Sequence, residues 1–300
     1  MNRLVVIGAA VAALAAPLPA QKLRVVTSTT DLHSIAHAIG GNRITAMSIA
    51  AGYQDPHFVQ AKPSFALQLG RANVFAFVGL DLEIGWMPTL LDAARNPRIN
   101  PGGPGNVDVS RVIPVLDVNP NADRSQGDVH PRGNPHYWLH PDNGKRIARL
   151  LRDKFAELDP QGVREYNAST ARFEARVDST VKALAPQLAV IRNKPVVAYH
   201  TSWRYFQEFT GMNIVGFVEP KPGVPPSPSH LAGLIQQMKR SGAKVIIMEP
   251  FYDQKMPQFV ARNVSGKVLV LPSSVEGIRG VDDYVELIDY NVRRLAEALR

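Results

Sequence analysis

The sequence predicts an α/β protein built as two α/β lobes joined by a long rigid linking helix. Three observations carry that reading. Short aliphatic and β-branched runs alternate with helically spaced segments in both halves of the chain. One uninterrupted helical stretch, Gln161 to Ile191, stands between the two alternating regions. The chain has 300 residues, 45% of them hydrophobic and 20% charged, enough for two cores and too apolar for a disordered polymer.

The elements come in this order. Met1-Asn2-Arg3 precedes an apolar run of 13 residues, Leu4 to Ala16, with small residues at Ala13, Ala15 and Ala20. That run is too short for a bilayer core, which needs about 20 residues, and it reads as a secretory signal peptide over residues 1–20. Leu23 to Thr29 is a β-branched strand. Leu32, Ile35, Ala36 and Ile39 then share one helical face that Gly40-Gly41 ends. Val74 to Val78 and Val112 to Val115 are further apolar runs, and the Pro/Gly-rich stretches Asn96 to Asn106 and Asn119 to Pro135 read as loops. Helical spacing resumes at Asp142 and breaks at Asp159-Pro160. The linking helix then spans about 30 residues, roughly 45 Å, with Pro186 placed to kink its end. Beyond Pro195 four strands are expected, Val196–Tyr199, Ile214–Val218, Val245–Met248 and Val268–Leu271, with a final amphipathic helix from Asp282 to Leu299. The expected divisions are 21–158 for the first lobe, 159–192 for the linking helix and 193–300 for the second lobe.

Composition removes several classes of function. There is no Cys, hence no disulfide scaffold, no thiolate zinc or iron–sulfur site, no Cys nucleophile and no lipidated Cys. The formal charge is +8 and the isoelectric point about 9.8. The basic residues are spread without runs or stacking motifs, however, so a solvated cationic surface is expected and nucleic-acid binding is not. No second apolar run reaches a spanning length.

Ligands of open α/β sheets sit beyond the carboxyl ends of the strands, so the residues directly after each strand are the candidates. His200 follows Val196–Tyr199, and Glu249 follows Val245–Met248. In the first half His57 lies in Gln54-Asp55-Pro56-His57, and His136 lies in Asn134-Pro135-His136-Tyr137-Trp138-Leu139. Imidazole is the commonest metal ligand near neutral pH, and three such nitrogens plus one more donor make a tetrahedral zinc shell. Taken one at a time, each of the eight histidines reads more simply as a surface or core residue. His33 and His37 share a helix face, but no Glu stands between them as in H-E-x-x-H. His140 reads as a loop or supporting residue.

The motifs in their order change the reading. Asp55-Pro56-His57, Lys62-Pro63-Ser64, Gly79-Leu80-Asp81-Leu82-Glu83, Asn134 to Leu139, Tyr199-His200-Thr201-Ser202-Trp203, Pro226-Ser227-Pro228-Ser229, Glu249-Pro250-Phe251 and Tyr290 to Leu295 run over nearly the whole mature chain. This set resembles the TroA-like family of zinc- and manganese-binding periplasmic solute-binding proteins of ABC importers. The resemblance implies one metal held at the lobe interface, with His57, His136 and His200 as ligands. Manganese-selective members tend to carry a carboxylate where this chain has His200, and nitrogen-rich shells favour zinc, so Zn²⁺ is expected before Mn²⁺ as the transported ligand.

Two departures stand out. Many members supply an Asp from the segment that here reads Leu271 to Gly277, where Ser273 stands near its place; Glu249, or water, is the substitute, and Glu249 reads equally as an acceptor orienting His200. The long His-rich loop of zinc members is reduced here to Asp123–Asn134, with His130 alone, so capture by such a loop is not expected.

The expectation is thus a monomeric, unlipidated periplasmic receptor that hands its metal to a membrane permease. The sequence leaves two rivals: a secreted zinc hydrolase with Glu249 as general base, and a metal-binding surface adhesin. No H-E-x-x-H, G-x-S-x-G or paired-carboxylate motif supports the first.

Overall fold

The computed structural model describes residues 22–122, 127 and 129–300; the expected signal peptide lies outside the described residues. In the first lobe β1 (Leu23–Thr27), α1 (Thr30–Gly40), β2 (Ile44–Ser48), α2 (Pro63–Gly70), β3 (Val74–Phe77), α3 (Met87–Ala94), β4 (Asn106–Asp108) and α4 (Pro141–Leu158) succeed one another. α5 (Val163–Ala183) and α6 (Ala185–Ile191) form the link. The second lobe holds β5 (Pro195–Ala198), α7 (Arg204–Thr210), β6 (Asn213–Phe217), α8 (Pro228–Ser241), β7 (Val245–Met248), α9 (Lys255–Arg262), β8 (Lys267–Val270) and α10 (Tyr284–Ala298).

Each lobe has one four-stranded, all-parallel sheet, ordered β2-β1-β3-β4 in the first and β6-β5-β7-β8 in the second. The inner strands β3 and β7 are buried along their whole length, as parallel strands covered on both faces must be. α1 begins where the Thr29 hydroxyl accepts the Leu32 N–H, and it buries Leu32, Ile35, Ala36 and Ile39. α10 begins on a capping box made by Asp283 and Glu286.

One expectation is corrected and another is met in detail. Val112–Val115 is not a strand: the fourth strand is Asn106–Asp108, which pairs with Phe75–Phe77 and starts inside the stretch read as a loop. Asp108 then caps a 3-10 turn over Val109–Val112, and Pro114, lacking an N–H, cannot extend a ladder there. The long linking helix is present as α5 and α6, with the kink expected near Pro186 falling at Leu184. Pro186 cannot donate to the Lys182 carbonyl, so the break falls within one turn of it.

One apolar cluster runs through both lobes and the link, from Leu32, Ile39 and Val74 through Phe155, Phe173 and Ile191 to Val196, Leu271 and Tyr284. α10 packs on α5 and α6 and reaches α1. The lobes also touch directly. The Thr30 hydroxyl donates to the Val275 carbonyl at 2.6 Å, and the Val275 N–H donates to Asp31 at 3.0 Å. Gly52 lies so close that a Cβ there would collide with the Val275 carbonyl. Opening the lobes would expose this shared core, which favours small relative movement.

Candidate metal centre

His57, His136 and His200 converge at the interface. Each offers a ring nitrogen within 4.8 Å of the other two, and the ring centroids form a nearly equilateral triangle with sides of 5.3, 5.5 and 5.6 Å. All three residues are buried.

The two first-lobe histidines are aimed by one local device. In Asp55-Pro56-His57 the Asp55 Oδ1 accepts both the His57 backbone N–H at 3.0 Å and its Nδ1–H at 2.7 Å. In Asn134-Pro135-His136 the Asn134 Oδ1 accepts the same two groups of His136, each at 3.0 Å. An acceptor on Nδ1 fixes the tautomer, leaving Nε2 as the nitrogen with a lone pair. The Asn134 amide also donates to the Thr201 carbonyl at 2.9 Å, tying this turn to the residue after His200.

His200 comes off the end of β5 and is aimed differently. Its Nδ1 lies 2.9 Å from Glu219 Oε2, and Glu219 comes two residues after β6. The His200 Nε2 is buried without a hydrogen-bond partner, an orphaned lone pair pointing where an ion would satisfy it.

The electrostatics of the lobes differ. Burial, then the neighbouring imidazoles, push the His136 pKa well below its ordinary value. Burial pushes His200 down too, but the Glu219 hydrogen bond and the charges of Glu249, Glu219 and Asp55 outweigh it, and its pKa ends raised. Burial raises Asp55, yet the bond to His57 prevails and lowers it, so Asp55 is ionised.

Glu249 follows β7 and is fully buried. Its oxygens stand outside the mutually close trio of nitrogens, and neither completes a hydrogen bond of regular geometry. Burial lifts its pKa to about 7 against the pull of His200 and the Ser202 hydroxyl. The acceptor on His200 Nδ1 is therefore Glu219, which the sequence reading passed over although it stands beyond a strand end like His200 and Glu249. Ser273 is buried, and its carbonyl accepts the Trp138 indole N–H at 2.7 Å. The decoys resolve plainly: His140 caps α4 by accepting the Asp142 N–H, and the His33 and His37 rings stand 6.4 Å apart on α1. His130 comes unexpectedly close, its Nε2 3.2 Å from that of His57.

Gly79-Leu80-Asp81 explains one quoted motif. All three residues are left-handed, with φ of 78°, 52° and 67°, a conformation that costs a side-chain-bearing residue about 1–2 kcal/mol. The buried Glu83 carboxylate holds the turn by accepting the Val78 and Gly79 N–H groups at 2.7 and 3.0 Å.

Two parallel α/β lobes meeting over a cluster of imidazoles define the class, a two-lobed binding protein with its site between the lobes. The family described as "ZnuA: Zinc-uptake complex component A periplasmic" matches residues 25–298, and the chain belongs to that family. Its members are metal-binding transport components, not enzymes.

Among curated relatives, the high-affinity zinc uptake system protein ZnuA of Brucella abortus is 27% identical over 166 residues, 55% of this chain and 48% of that protein. The chain thus matches about half the length of the Brucella relatives. The ZnuA of Yersinia pestis is 25% identical over 293 residues, covering 92% of this chain and 91% of that one. The manganese-binding lipoprotein MntA of Halalkalibacterium halodurans is 24% identical over 283 residues, covering 92% and 88%. A crystal structure of ZnuA superposes with a TM-score of 0.78 at 22% identity, over 93% of this chain and all of that one, a likeness of fold. The hydrolase and adhesin readings find no support among these proteins.

Proposed function

We propose that this chain is an exported, unlipidated periplasmic receptor that binds one divalent metal ion between its lobes, zinc in preference to manganese, and delivers it to the permease of an ABC importer. In this reading residues 1–20 are removed on export, 21–158 and 193–300 act as the lobes, and 159–192 holds them in register. His57, His136 and His200 are the ligands, and Glu249 supplies a buried carboxylate that offsets the charge of the ion. Among the described residues no helix is long and apolar enough to cross a membrane, which suits a partner that supplies the channel.

The observation that carries the proposal is the convergence of three imidazoles from both lobes within 4.8 Å of one another, each with its Nδ1 engaged by an oxygen acceptor. Nitrogen donors favour zinc over the harder manganese ion; the relatives carry names of both kinds. Elemental analysis of protein taken from its native periplasm, followed by zinc–manganese competition, tests this. One zinc per chain, not displaced by equimolar manganese, is the expected result; manganese as the dominant bound metal would reverse the preference.

A further inference from the structure

His130 has a geometry that the three-histidine site does not account for. Its Nε2 lies 3.2 Å from the Nε2 of His57, and its ring centroid is 5.3 Å from that of His57 and 6.4 Å from that of His136. Its Nδ1 lies 3.0 Å from the Leu80 carbonyl oxygen. A carbonyl only accepts, so that nitrogen bears the hydrogen and, in a neutral ring, Nε2 bears the lone pair. The Asp55 Oδ1, 2.7 Å from the His57 Nδ1, imposes the same tautomer on His57. With both rings neutral, two lone pairs face each other at 3.2 Å, an arrangement relieved by a proton on either nitrogen or by a metal ion bound to both. A tetrahedral zinc shell with bonds of about 2.0–2.1 Å sets its nitrogens about 3.3–3.4 Å apart, and the His57–His130 edge has nearly that length.

The loop is held in this place from two sides of one turn. Leu80 presents its carbonyl to His130, and Asp81 accepts from Arg132 at 2.9 Å. Both partners sit in the left-handed turn that Glu83 clamps. A conformation this costly, tied to His130 and Arg132, has a use if it must hold a side chain at the site.

We propose that His130 is the fourth ligand of the interlobe metal, completing an all-imidazole tetrahedron with His57, His136 and His200. It takes the place that the sequence offered to Glu249. His130 stands outside the trio of nitrogens that lie mutually within 4.8 Å, so ligation moves its imidazole a short way toward the other three. Four nitrogens and no carboxylate raise the preference for zinc over manganese beyond what three would give. The assignment rests on the metal-binding reading of the site.

The test is proton NMR of the Co²⁺-loaded full chain beside zinc competition titrations. A coordinated imidazole keeps its Nδ1–H, which appears as a hyperfine-shifted, solvent-exchangeable resonance. Four such resonances are expected in the wild type and three in His130→Gln and His130→Ala, both checked for an unchanged melting temperature without metal. Zinc affinity should fall by more than about 10-fold in both variants, since losing a ligand costs at least as much as losing an outer partner. Three resonances in the wild type, with affinities unchanged in both variants, would overturn the assignment and leave the three-histidine site standing. A wild type that takes up no stoichiometric zinc or cobalt would overturn the metal reading, and this assignment with it.

Discussion

The two lobes solve the same problem, aiming an imidazole at a shared point, by different means. The first lobe does it locally: in Asp55-Pro56-His57 and Asn134-Pro135-His136 one side-chain oxygen two residues upstream holds both the backbone and the ring. The second lobe does it across strands, with His200 at the end of β5 held by Glu219 beyond β6. The consequence is electrostatic. Burial and the neighbouring imidazoles push the His136 pKa well down, whereas at His200 burial is outweighed by the Glu219 hydrogen bond and nearby carboxylates, and the pKa is raised. In the proposed site, protons therefore compete with the metal less at His136 than at His200.

The sharpest way to break this comparison is to delete a ligand from either side. His57→Ala, His136→Ala and His200→Ala should each weaken zinc binding by more than about 100-fold, beyond the range of outer partners. A competition titration with a chromophoric chelator measures it. A site confined to one lobe would spare the ligand of the other.

Next in size are the aiming residues. Glu219→Gln and Asp55→Asn should each cost about 10- to 100-fold in affinity. The two should differ in pH dependence. Zinc binds neutral imidazole, so at pH below the raised pKa of His200 each ion must expel a proton, and affinity rises with pH until that group is deprotonated. Glu219→Gln removes the main support of that protonated form, so its deficit should be smaller at pH 6 than at pH 8. Equal deficits at both pH values would show that Glu219 acts through orientation alone.

The contact between the lobes gives a smaller effect, on stability. Gly52→Ala forces a methyl group against the Val275 carbonyl and should cost about 1–3 kcal/mol, read as a lower denaturation midpoint of the metal-free protein. The smallest effect concerns Asp31, which binds Val275 across the same contact. Its pKa is raised from 3.8 to about 7 by burial, against several hydrogen bonds that lower it. The folded form therefore keeps a proton that the unfolded chain releases above pH 4. The stability from this group is complete below that pH and is lost as pH rises through about 7. Asp31→Asn should flatten the decline in melting temperature between pH 5 and pH 8; an unaltered slope would place the titration elsewhere.

The sequence was informative where structure is local. Short aliphatic runs alternating with helical patterning located all the second-lobe strands, and the order of short motifs brought out three histidines separated by long stretches of chain. β4 escaped because three residues, Asn106–Asp108, carry too little pattern and are held by pairing with β3. Glu219 escaped because its role depends on β5 and β6 lying side by side, which no spacing along the chain reveals. The strand-end reasoning that singles out His200 after β5 and Glu249 after β7 would have reached it, had it been extended to β6. His130 escaped for a related reason: its proximity to His57 is set by the Leu80 carbonyl, a backbone atom in a turn whose left-handed φ values fall on Leu80 and Asp81 as well as on Gly79.

The central claim is that one ion is gripped from both lobes at once. Isothermal titration of zinc into metal-free wild type, His57→Ala and His200→Ala tests it most directly. The account predicts one zinc per wild-type chain and loss of that binding step in both variants, each from a different lobe. Retention of wild-type affinity and stoichiometry in either variant would contradict it.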